Sequence, residues 1–534
     1  MMSRQTRPLS LRASLGVGAL LGVIAALALT LTQALARLWL GVSPPTELVG
    51  DRFAPLLGIK RFFSLLSFFG GYNQLKQFGV GSATLGLLGL GLVLGAAYAW
   101  LSWRAVRDGA EPGEAGTRRP LLFLAAAVAA LWLLSVLVLW PVLATNYRGF
   151  SPGAARLTTL AVMLVSYGVF AVVLWMSHRL VIGRPASKAG AAAGEGAGSV
   201  SRRSLVAGGV GAGLMVATGG VGTVLFKRSV FGYDGMQNNG PGIQPITPND
   251  KFYVVTKNVI DPRVRASLWQ LSITGLVDRP RTYGFDDLRS MPAVTQETTL
   301  SCISNPVGGG LQSNAMWTGV PLANLLADAG PGDGVVEVLL TAVDGYSDTF
   351  SIDKAMEPTT LVAYQMNGEP LPQRHGYPAR VLVPGLFGEK NVKWVTTIEL
   401  VDANAKGFYE QQGWGPDFVV PTRSRFTEPD FTQPLPMGGP VTLRGTAFAG
   451  DRGVSSVEVS KDDGKTWDRA DMEYSTSRLA WVLWRYDWQP ERPGEIPLMV
   501  RATDGTGELQ IAQQRGVAPQ GATGYHRVVA RLQS

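Results

Sequence analysis

The chain has 534 residues, 46 % apolar and only 16 % charged, with 65 glycines and a mean hydropathy of +0.13. Soluble domains carry roughly 25 % charged residues, so an ordinary cytosolic protein and a disordered one are both excluded, and the length implies several structural units. A single cysteine excludes an internal disulfide framework, a cysteine-ligated iron–sulfur cluster and a Cys-rich zinc site, while three histidines (His178, His375, His526) leave little room for a His-ligated metal.

The net charge of +8 divides unevenly along the chain. Residues 1–228 hold 21 Lys+Arg against 6 Asp+Glu, or +15; residues 229–534 hold 27 against 34, or −7. The basic excess thus sits in the apolar half, where membrane topology accounts for it. The acidic second half gives a nucleic-acid partner no electrostatic support. Four apolar runs, Ala13–Ala36, Phe78–Trp100, Leu121–Ala144 and Leu157–Met176, each meet the ~20 residues a bilayer requires. A fifth, Ser204–Phe226, is Gly-rich, weaker and uncharged. Phe53–Gly70 is apolar too, but Lys60 and Arg61 at its middle are costly at mid-bilayer, so it reads as interfacial or re-entrant, with a sixth span as the alternative.

With five spans and the N-terminus inside, the inner N-terminal segment and inner loops hold 12 Lys+Arg and the two outer loops 7, which places the second half outside. The tract Pro185–Val200 reads as a flexible linker. It leads into Ser201-Arg202-Arg203-Ser204-Leu205-Val206, which resembles a twin-arginine export signal lodged within the chain; two ordinary inside-positive anchors are the plainer alternative. No span has an internal histidine, His178 lying at the inner edge of the fourth, so a bis-His haem in the membrane is excluded.

Residues 229–248 are Gly/Asn/Pro-rich and read as a linker. Beyond it the pattern is α+β. Phe252–Val255, Leu268–Ile273, Leu361–Met366 and Tyr377–Val383 read as strands, and Val320–Leu326 and Ile352–Met356 as short helices. From about Pro440 the chain turns all-β, with strands at Val441–Ala447, Val454–Ser460, Leu479–Tyr486 and Ile496–Ala502 and a tight turn at Asp462-Asp463-Gly464. This implies an immunoglobulin-like sandwich. The only cysteine, Cys302, follows a strand-like run and precedes the loop Asn305-Pro306-Val307-Gly308-Gly309-Gly310. A lone cysteine is either inert packing or a soft metal ligand, and its position leaves both open.

The wording around it carries a resemblance. Thr299-Leu300-Ser301-Cys302-Ile303-Ser304-Asn305, then Ala363-Tyr364-Gln365-Met366-Asn367-Gly368-Glu369-Pro370-Leu371-Pro372, His375-Gly376-Tyr377-Pro378-Ala379-Arg380-Val381-Leu382-Val383-Pro384-Gly385 and Val392-Lys393-Trp394 resemble, in order and spacing, the molybdenum-cofactor domain of the sulfite oxidase family. The likeness runs from about Asn249 to Phe418. The tail, with Val457–Trp467 and Arg501-Ala502-Thr503-Asp504, resembles the family's dimerisation domain.

The resemblance implies a multi-domain chain. Residues 1–228 form an α-helical transmembrane bundle and 229–248 the linker; 249–425 form an α+β molybdopterin-binding domain and 437–534 an immunoglobulin-like dimerisation domain. It implies that Cys302 binds molybdenum, that His375, Arg380 and Lys393 hold the pterin, and that Asp344, Asn305 and the early segment Tyr253, Thr256, Lys257, Asn258 contact the cofactor. Cys302, Trp414 and Tyr346 are the candidate catalytic residues. It also implies a molybdenum–pterin cofactor, a small-molecule substrate and a homodimer; with no cysteine to spare for an iron–sulfur cluster and no histidine pair for haem, the expectation is a separate electron-transfer partner, a cytochrome or quinone-linked protein. The location implied is the outer side of a bacterial cytoplasmic membrane.

Three departures bear on substrate. Sulfite-oxidising members place arginine where this chain has Val255-Thr256-Lys257-Asn258, arginines after the ligand cysteine where it has Pro306-Val307, and a tyrosine at about the place of Trp414. Sulfite is a dianion that calls for fixed positive charge. The expectation is therefore an S-oxide or N-oxide substrate, with sulfite dehydrogenation as the alternative and a cofactor-free membrane-tethered binding protein as the alternative of another class.

Overall fold

The computed structural model describes residues 10–107, 115–182 and 202–533. The tract Pro185–Val200, Arg4, Arg7, Arg184 and Lys188, and the side chains of Arg202 and Arg203 lie outside the described residues. The chain divides into two compact units, one of residues up to Phe53 with Gln74–Tyr147 and Ser151–Ser229, the other of Ala54–Asn73, Arg148–Phe150 and Val230 onward.

In the first unit, runs of Leu, Ala and Val with few charges form helices Leu11–Trp39, Tyr72–Arg107, Ala115–Leu139, Pro152–Ile182 and Arg202–Arg228. Among the described residues five helices are long and apolar enough to cross a membrane, by length and composition. Small residues bring two of them into backbone contact: Gly18 and Gly22 face Gly91 and Gly95, and a Cβ on Gly22 would lie 2.9 Å from Gly95 Cα. This is the small-residue packing that lets apolar helices associate by close approach. At the end of the first helix Arg37 is buried, bonds Glu47 at 3.0 Å and stacks 3.8 Å over Tyr147, so its charge is paired.

The segment Phe53–Gly70 is not among the five. It lies in helix Pro45–Phe69, which breaks at Gly58 (φ 67°, ψ 157°), a conformation that glycine alone adopts without strain. Beyond the break, Ile59 and Phe63 pack into the second unit's cluster of Trp414, Phe418, Phe387 and Trp481.

The second unit contains four sheets. One has the order Arg281–Gly284, Gln270–Gly275, Val395–Val401, Glu337–Ala342, Ser347–Ser351, with the pairing of Gln270–Gly275 to Val395–Val401 parallel and the rest antiparallel. A second joins Val294–Ser301, Gln312–Pro321, Leu361–Met366 and Glu369–Pro370, with Arg380–Leu382 also paired to Leu361–Met366. Short helices Leu322–Ala329 and Ile352–Ala355 complete the α+β layer. The sandwich follows: Arg423–Glu428, Val441–Phe448, Val482–Trp488 and Asp471–Tyr474 in one sheet, and Leu435–Pro436, His526–Gln533, Gly494–Asp504, Val454–Ser460 and Asp468–Arg469 in the other. Strict alternation of burial along Ile496–Asp504 is the period-two pattern of a strand with one face in the core, here against Leu443, Trp484 and Val457. Asp463 and Gly464 both take positive φ, as a tight hairpin turn requires.

Phe252–Val255 is not a strand. Its N–H groups bond singly, Tyr253 to Ser313 Oγ at 3.1 Å and Val254 to the Met236 carbonyl at 3.2 Å. The stretch 229–248, expected to be a linker, supplies that partner and is itself held: Thr247 N–H bonds the Asn314 carbonyl, and Trp481 Nε1–H the Pro245 carbonyl.

Candidate active site

Strands Val294–Ser301 and Gln312–Pro321 pair as far as Ser301–Gln312, and the chain between them folds back over their end. Cys302 is the first residue of that loop. Its N–H bonds the Leu311 carbonyl at 2.9 Å, and Asn305 Oδ1 accepts from Leu311 N–H at 3.0 Å. Asn305, expected to contact cofactor, is 1 % exposed and bonds the loop's own backbone.

Around Cys302 the side chains are aromatic and acidic. A Cβ on Gly388 would lie 2.5 Å from Tyr253 Oη and 3.7 Å from Cys302 Cα, so only glycine lets these segments meet. Burial, then the charge of Glu389, pushes the Cys302 thiol up to about 11. Without a metal it is a neutral thiol; a soft cation is what makes a thiolate stable there. Tyr346 Oη donates to Asp348 Oδ2 at 2.7 Å and lies 3.2 Å from the Glu389 carbonyl. Lys390 pairs with Asp348 at 2.7 Å and Glu410 at 3.3 Å. Trp414 is 7 % exposed, stands against Tyr409 and Phe63, and its indole N–H has no partner.

Glu389 stands out in this group. Both of its carboxyl oxygens are buried without a well-formed hydrogen bond, the backbone N–H groups of Glu389 and Ile303 being the donors nearby, and burial, then the neighbouring Asp348 charge, pushes it up to about 8. An acid so placed keeps its proton at neutral pH.

A second cluster is cationic. Arg380 is 4 % exposed; its Nη atoms donate to the carbonyls of His375 (3.2 Å) and Asn391 (2.8 Å), and its Nε has no partner. Lys393 Nζ reaches only carbonyls, Val255 at 3.4 Å and Arg374 at 3.2 Å. His375 Nε2 donates to the Asn249 carbonyl at 3.0 Å, and burial holds its pKa down to about 3. Burial likewise lowers Arg380 to about 10 and shifts Lys393 down. Among the described residues neither Arg380 nor Lys393 has an ion-pair partner. Gly376 (φ 115°) lets the turn close against them, its Cβ position lying 3.0 Å from Arg380 Cβ and 3.3 Å from Lys393 Cα. Desolvated cations with an orphan N–H fit an anionic group such as the phosphate end of a pterin.

A polar strip joins the clusters. Asn258 Nδ2 donates to Asp344 Oδ2 at 2.8 Å, Lys257 Nζ to the Asp344 carbonyl at 3.0 Å, and Thr256 Oγ1 to Asp261 at 2.8 Å. Tyr253 packs in one cluster with Cys302, and the Val255 carbonyl two residues on accepts from Lys393 Nζ, which ties the ends together. The structure therefore brings Thr256, Lys257, Asn258, Asp344 and Tyr346 into one bonded strip, in which Asp261 accepts from both Thr256 and Asn258, with Tyr253 and Cys302 in one cluster and His375, Arg380 and Lys393 in another.

Four residues escaped the sequence reading. Glu389 and Lys390 sit in an apolar context that a charged pair should have flagged. Arg423 and Arg425 alternate on strand Arg423–Glu428 and so share one face. Arg423 donates to Ser301 Oγ and to the carbonyls of Asn305 and Pro306 at 3.0–3.1 Å. A guanidinium thus does reach the loop where the sequence offered only Pro306-Val307.

Two protein-family models match the second half of the chain. Residues 258–409 match the family described as oxidoreductase molybdopterin binding domain, and 418–532 the Mo-co oxidoreductase dimerisation domain. The chain is 28 % identical to sulfite oxidase of Arabidopsis thaliana over 54 % of its length and 88 % of that protein's. It is 30 % identical to sulfite oxidase of Gallus gallus over 53 % of its length and 72 % of that protein's. It is also 30 % identical to mitochondrial sulfite oxidase of Mus musculus, again over 53 % of its length, and there the match spans only 61 % of the relative.

Proposed function

Because this chain belongs to the sulfite oxidase family of molybdopterin-dependent oxidoreductases, we infer that it removes an oxygen atom from a neutral S-oxide or N-oxide on the outer side of a bacterial cytoplasmic membrane. Its apolar helices would tether it there, its sandwich would pair it with a second copy, and a separate cytochrome or quinone-linked protein would deliver electrons. The excess of Lys+Arg in the inner loops supports the orientation.

Removing oxygen from an S-oxide takes two electrons and two protons and yields the sulfide and water. When bound through Cys302, a molybdenum–pterin supplies two-electron oxygen-atom transfer. Arg380, Lys393 and His375 hold the pterin's anionic end, and Gly388 lets Tyr253 close on the Cys302 side. Trp414, backed by Phe63, excludes water with an apolar wall. Glu389 carries a proton on a carboxyl oxygen at neutral pH and is placed to pass it to the departing oxygen, Tyr346 and Asp348 lying beside it.

The observation that carries this reading is the buried carboxyl of Glu389, which no side chain donates to and whose neighbour Gly388 packs against Cys302. It suits a neutral oxide, which needs a proton, and disfavours a dianion, which needs cations. Sulfite oxidation is the second reading, and Arg423 at the Cys302 loop favours it. Purified protein assayed with reduced viologen and methionine sulfoxide, dimethyl sulfoxide or trimethylamine N-oxide, and in parallel with sulfite and ferricyanide, decides. A sulfite efficiency of ~10⁴ M⁻¹s⁻¹ or above, with no turnover of oxides, overturns the first reading in favour of the second.

A further inference from the structure

Residues 59–69 lie between the first and second apolar runs in sequence, yet Ala54–Asn73 belongs to the second compact unit. Beyond the break at Gly58, Ile59, Phe62, Phe63, Leu66 and Phe69 recur at helical spacing and are half-buried, while Lys60, Arg61, Ser64 and Ser67 are exposed. Of the aromatic residues in this stretch only Phe68 is exposed. A helix surrounded by lipid is apolar all round, whereas a one-sided stripe belongs to a helix packed on protein. The stripe accounts for two cations in the middle of an apolar run.

The stripe meets the turn that carries Trp414. Ile59 stands against Gly413 (φ 98°), whose Cβ position lies 3.5 Å from Ile59 Cβ. The rings of Phe63 and Trp414 are 5.4 Å apart, and Phe62 lies 5.8 Å from Tyr72. The same cluster holds Ile303 and Phe387, the sequence neighbours of Cys302 and Gly388. A second observation concerns the turn itself. Glu410–Gln412 is a single short turn outside every sheet, and its bonds are local, Gln412 and Trp414 N–H both donating to the Tyr409 carbonyl at 2.9 and 3.2 Å. The Trp414 indole N–H has no partner, so no hydrogen bond fixes the ring and packing decides its orientation. Tyr409, 6.5 Å away, belongs to the same turn; Phe63 reaches the indole from elsewhere in the chain.

We propose that residues 59–69 form a strap that is part of the enzyme, with Ile59 and Phe63 as positioning residues that fix the Trp414 indole and, through it, the size of the oxide the site admits. This rests on the reading of Trp414 as a wall of the reaction site. Removing the ring at 63 opens space beside the indole on the scale that separates a methyl from a phenyl substituent, so the wall yields to a larger oxide.

The test uses the detergent-solubilised full chain. In Ile59→Cys with Gly413→Cys the two Cβ atoms fall 3.5 Å apart, within disulfide reach, so mild oxidation should join them, read by mass spectrometry of the unreduced digest. Lys60→Cys with Gly413→Cys, whose residue 60 is exposed, should stay open. Reduced-viologen kinetics then compare methyl phenyl sulfoxide with dimethyl sulfoxide. In Phe63→Ala the ratio of kcat/KM, large over small, should rise about tenfold, chiefly through KM, and Phe63→Tyr should return it to within about twofold of wild type. A merely structural role lowers both efficiencies together and leaves the ratio in place. If wild type turns over sulfite and no oxide, the reading of the reaction falls by itself; the ratio is then taken from competitive inhibition of sulfite turnover by benzenesulfinate and methanesulfinate, and the disulfide needs no turnover. Should Gly413→Cys, at its positive φ, fail to fold, the Phe63 ratio alone decides. Absence of the disulfide in a folded chain, or an unchanged ratio in Phe63→Ala, overturns the proposal.

Discussion

Replacing Glu389 with Gln separates stability from catalysis. The carboxyl has an ordinary value of 4.5 and stands at about 8 in the folded chain, raised first by burial and then by Asp348. For an acid raised on folding, the native state takes up a proton. The penalty is absent below about 4.5, grows as pH rises from 4.5 to about 8, and is complete above that. At pH 7 the gap is ~2.5 units at ~1.36 kcal/mol each, or about 3 kcal/mol. Gln has the same shape and no charge at any pH. Glu389→Gln should therefore be about 3 kcal/mol more stable than wild type at pH 7 and indistinguishable from it near pH 4.5. The same change removes the proton donor, so dye-linked reduction of an S-oxide should fall by ~10²–10⁴ and lose the decline near pH 8 that wild type shows as Glu389 ionises. Denaturant unfolding at both pH values, with kcat measured from pH 6 to 9, reads both effects. A variant that is no more stable at pH 7, or that turns over within twofold of wild type with an unchanged pH profile, would falsify the protonated-carboxyl assignment.

Four further outcomes follow from the same geometry. Cys302→Ala and Cys302→Ser should both lose molybdenum, measured per chain by mass spectrometry, while pterin remains on Arg380, Lys393 and His375; full turnover in either refutes the ligand assignment. His526 is half-buried and depressed to about 4, so the unfolded chain binds its proton first; stability is present above about 6.5 and is lost as pH falls toward 4, by about 2 kcal/mol at pH 5, and His526→Gln should remove that part of the pH dependence. Gly22→Ile should force the first helix off Gly91 and Gly95, visible as loss of the monodisperse detergent-solubilised peak in size-exclusion chromatography, with Gly22→Ala the milder case. Arg202→Lys with Arg203→Lys should leave the first four spans inserted and strand the enzymatic half inside, and normal protease access from outside would contradict the internal export signal.

Local chemistry was legible in the sequence where a short segment determines its own structure. Leu361–Met366 and Val454–Ser460 come out as strands with the expected bounds, because alternation and flanking turns suffice. The turn at Asp462-Asp463-Gly464 was legible for the same reason. Phe252–Val255 misled because its composition is strand-like while its partners, Ser313 and Met236, belong to segments that offer no ladder. The apolar run Phe53–Gly70 could be placed only with the Trp414 cluster in view, since Ile59 and Phe63 meet residues some 350 positions away in sequence. The closeness of His375, Arg380 and Lys393 was legible because they fall within 19 positions, which one turn and the Arg380–Lys393 bridge bring into a single cationic cluster.

The charge balance at the Cys302 loop was not legible, and its physics bears on substrate. The loop has no arginine of its own, yet Arg423 reaches it from the sandwich, 118 positions from Asn305. That contact does not by itself restore a dianion site. Arg423 donates Nη1 to Ser301 Oγ and Nη2 to two carbonyls, so the parallel N–H pair that grips an oxyanion is already engaged with the backbone. Cys302 packs in one cluster with Tyr253, its thiol lies 3.1 Å from Ser304 Oγ, and the segment that carries Glu389 meets it at Gly388. A dianion approaching there would keep Glu389 protonated by its own field and gain no ion pair, whereas a neutral oxide meets a proton and an aromatic wall. Positive charge lies behind the loop and a proton in front of it. That order favours removing oxygen from a neutral molecule over adding it to an anion.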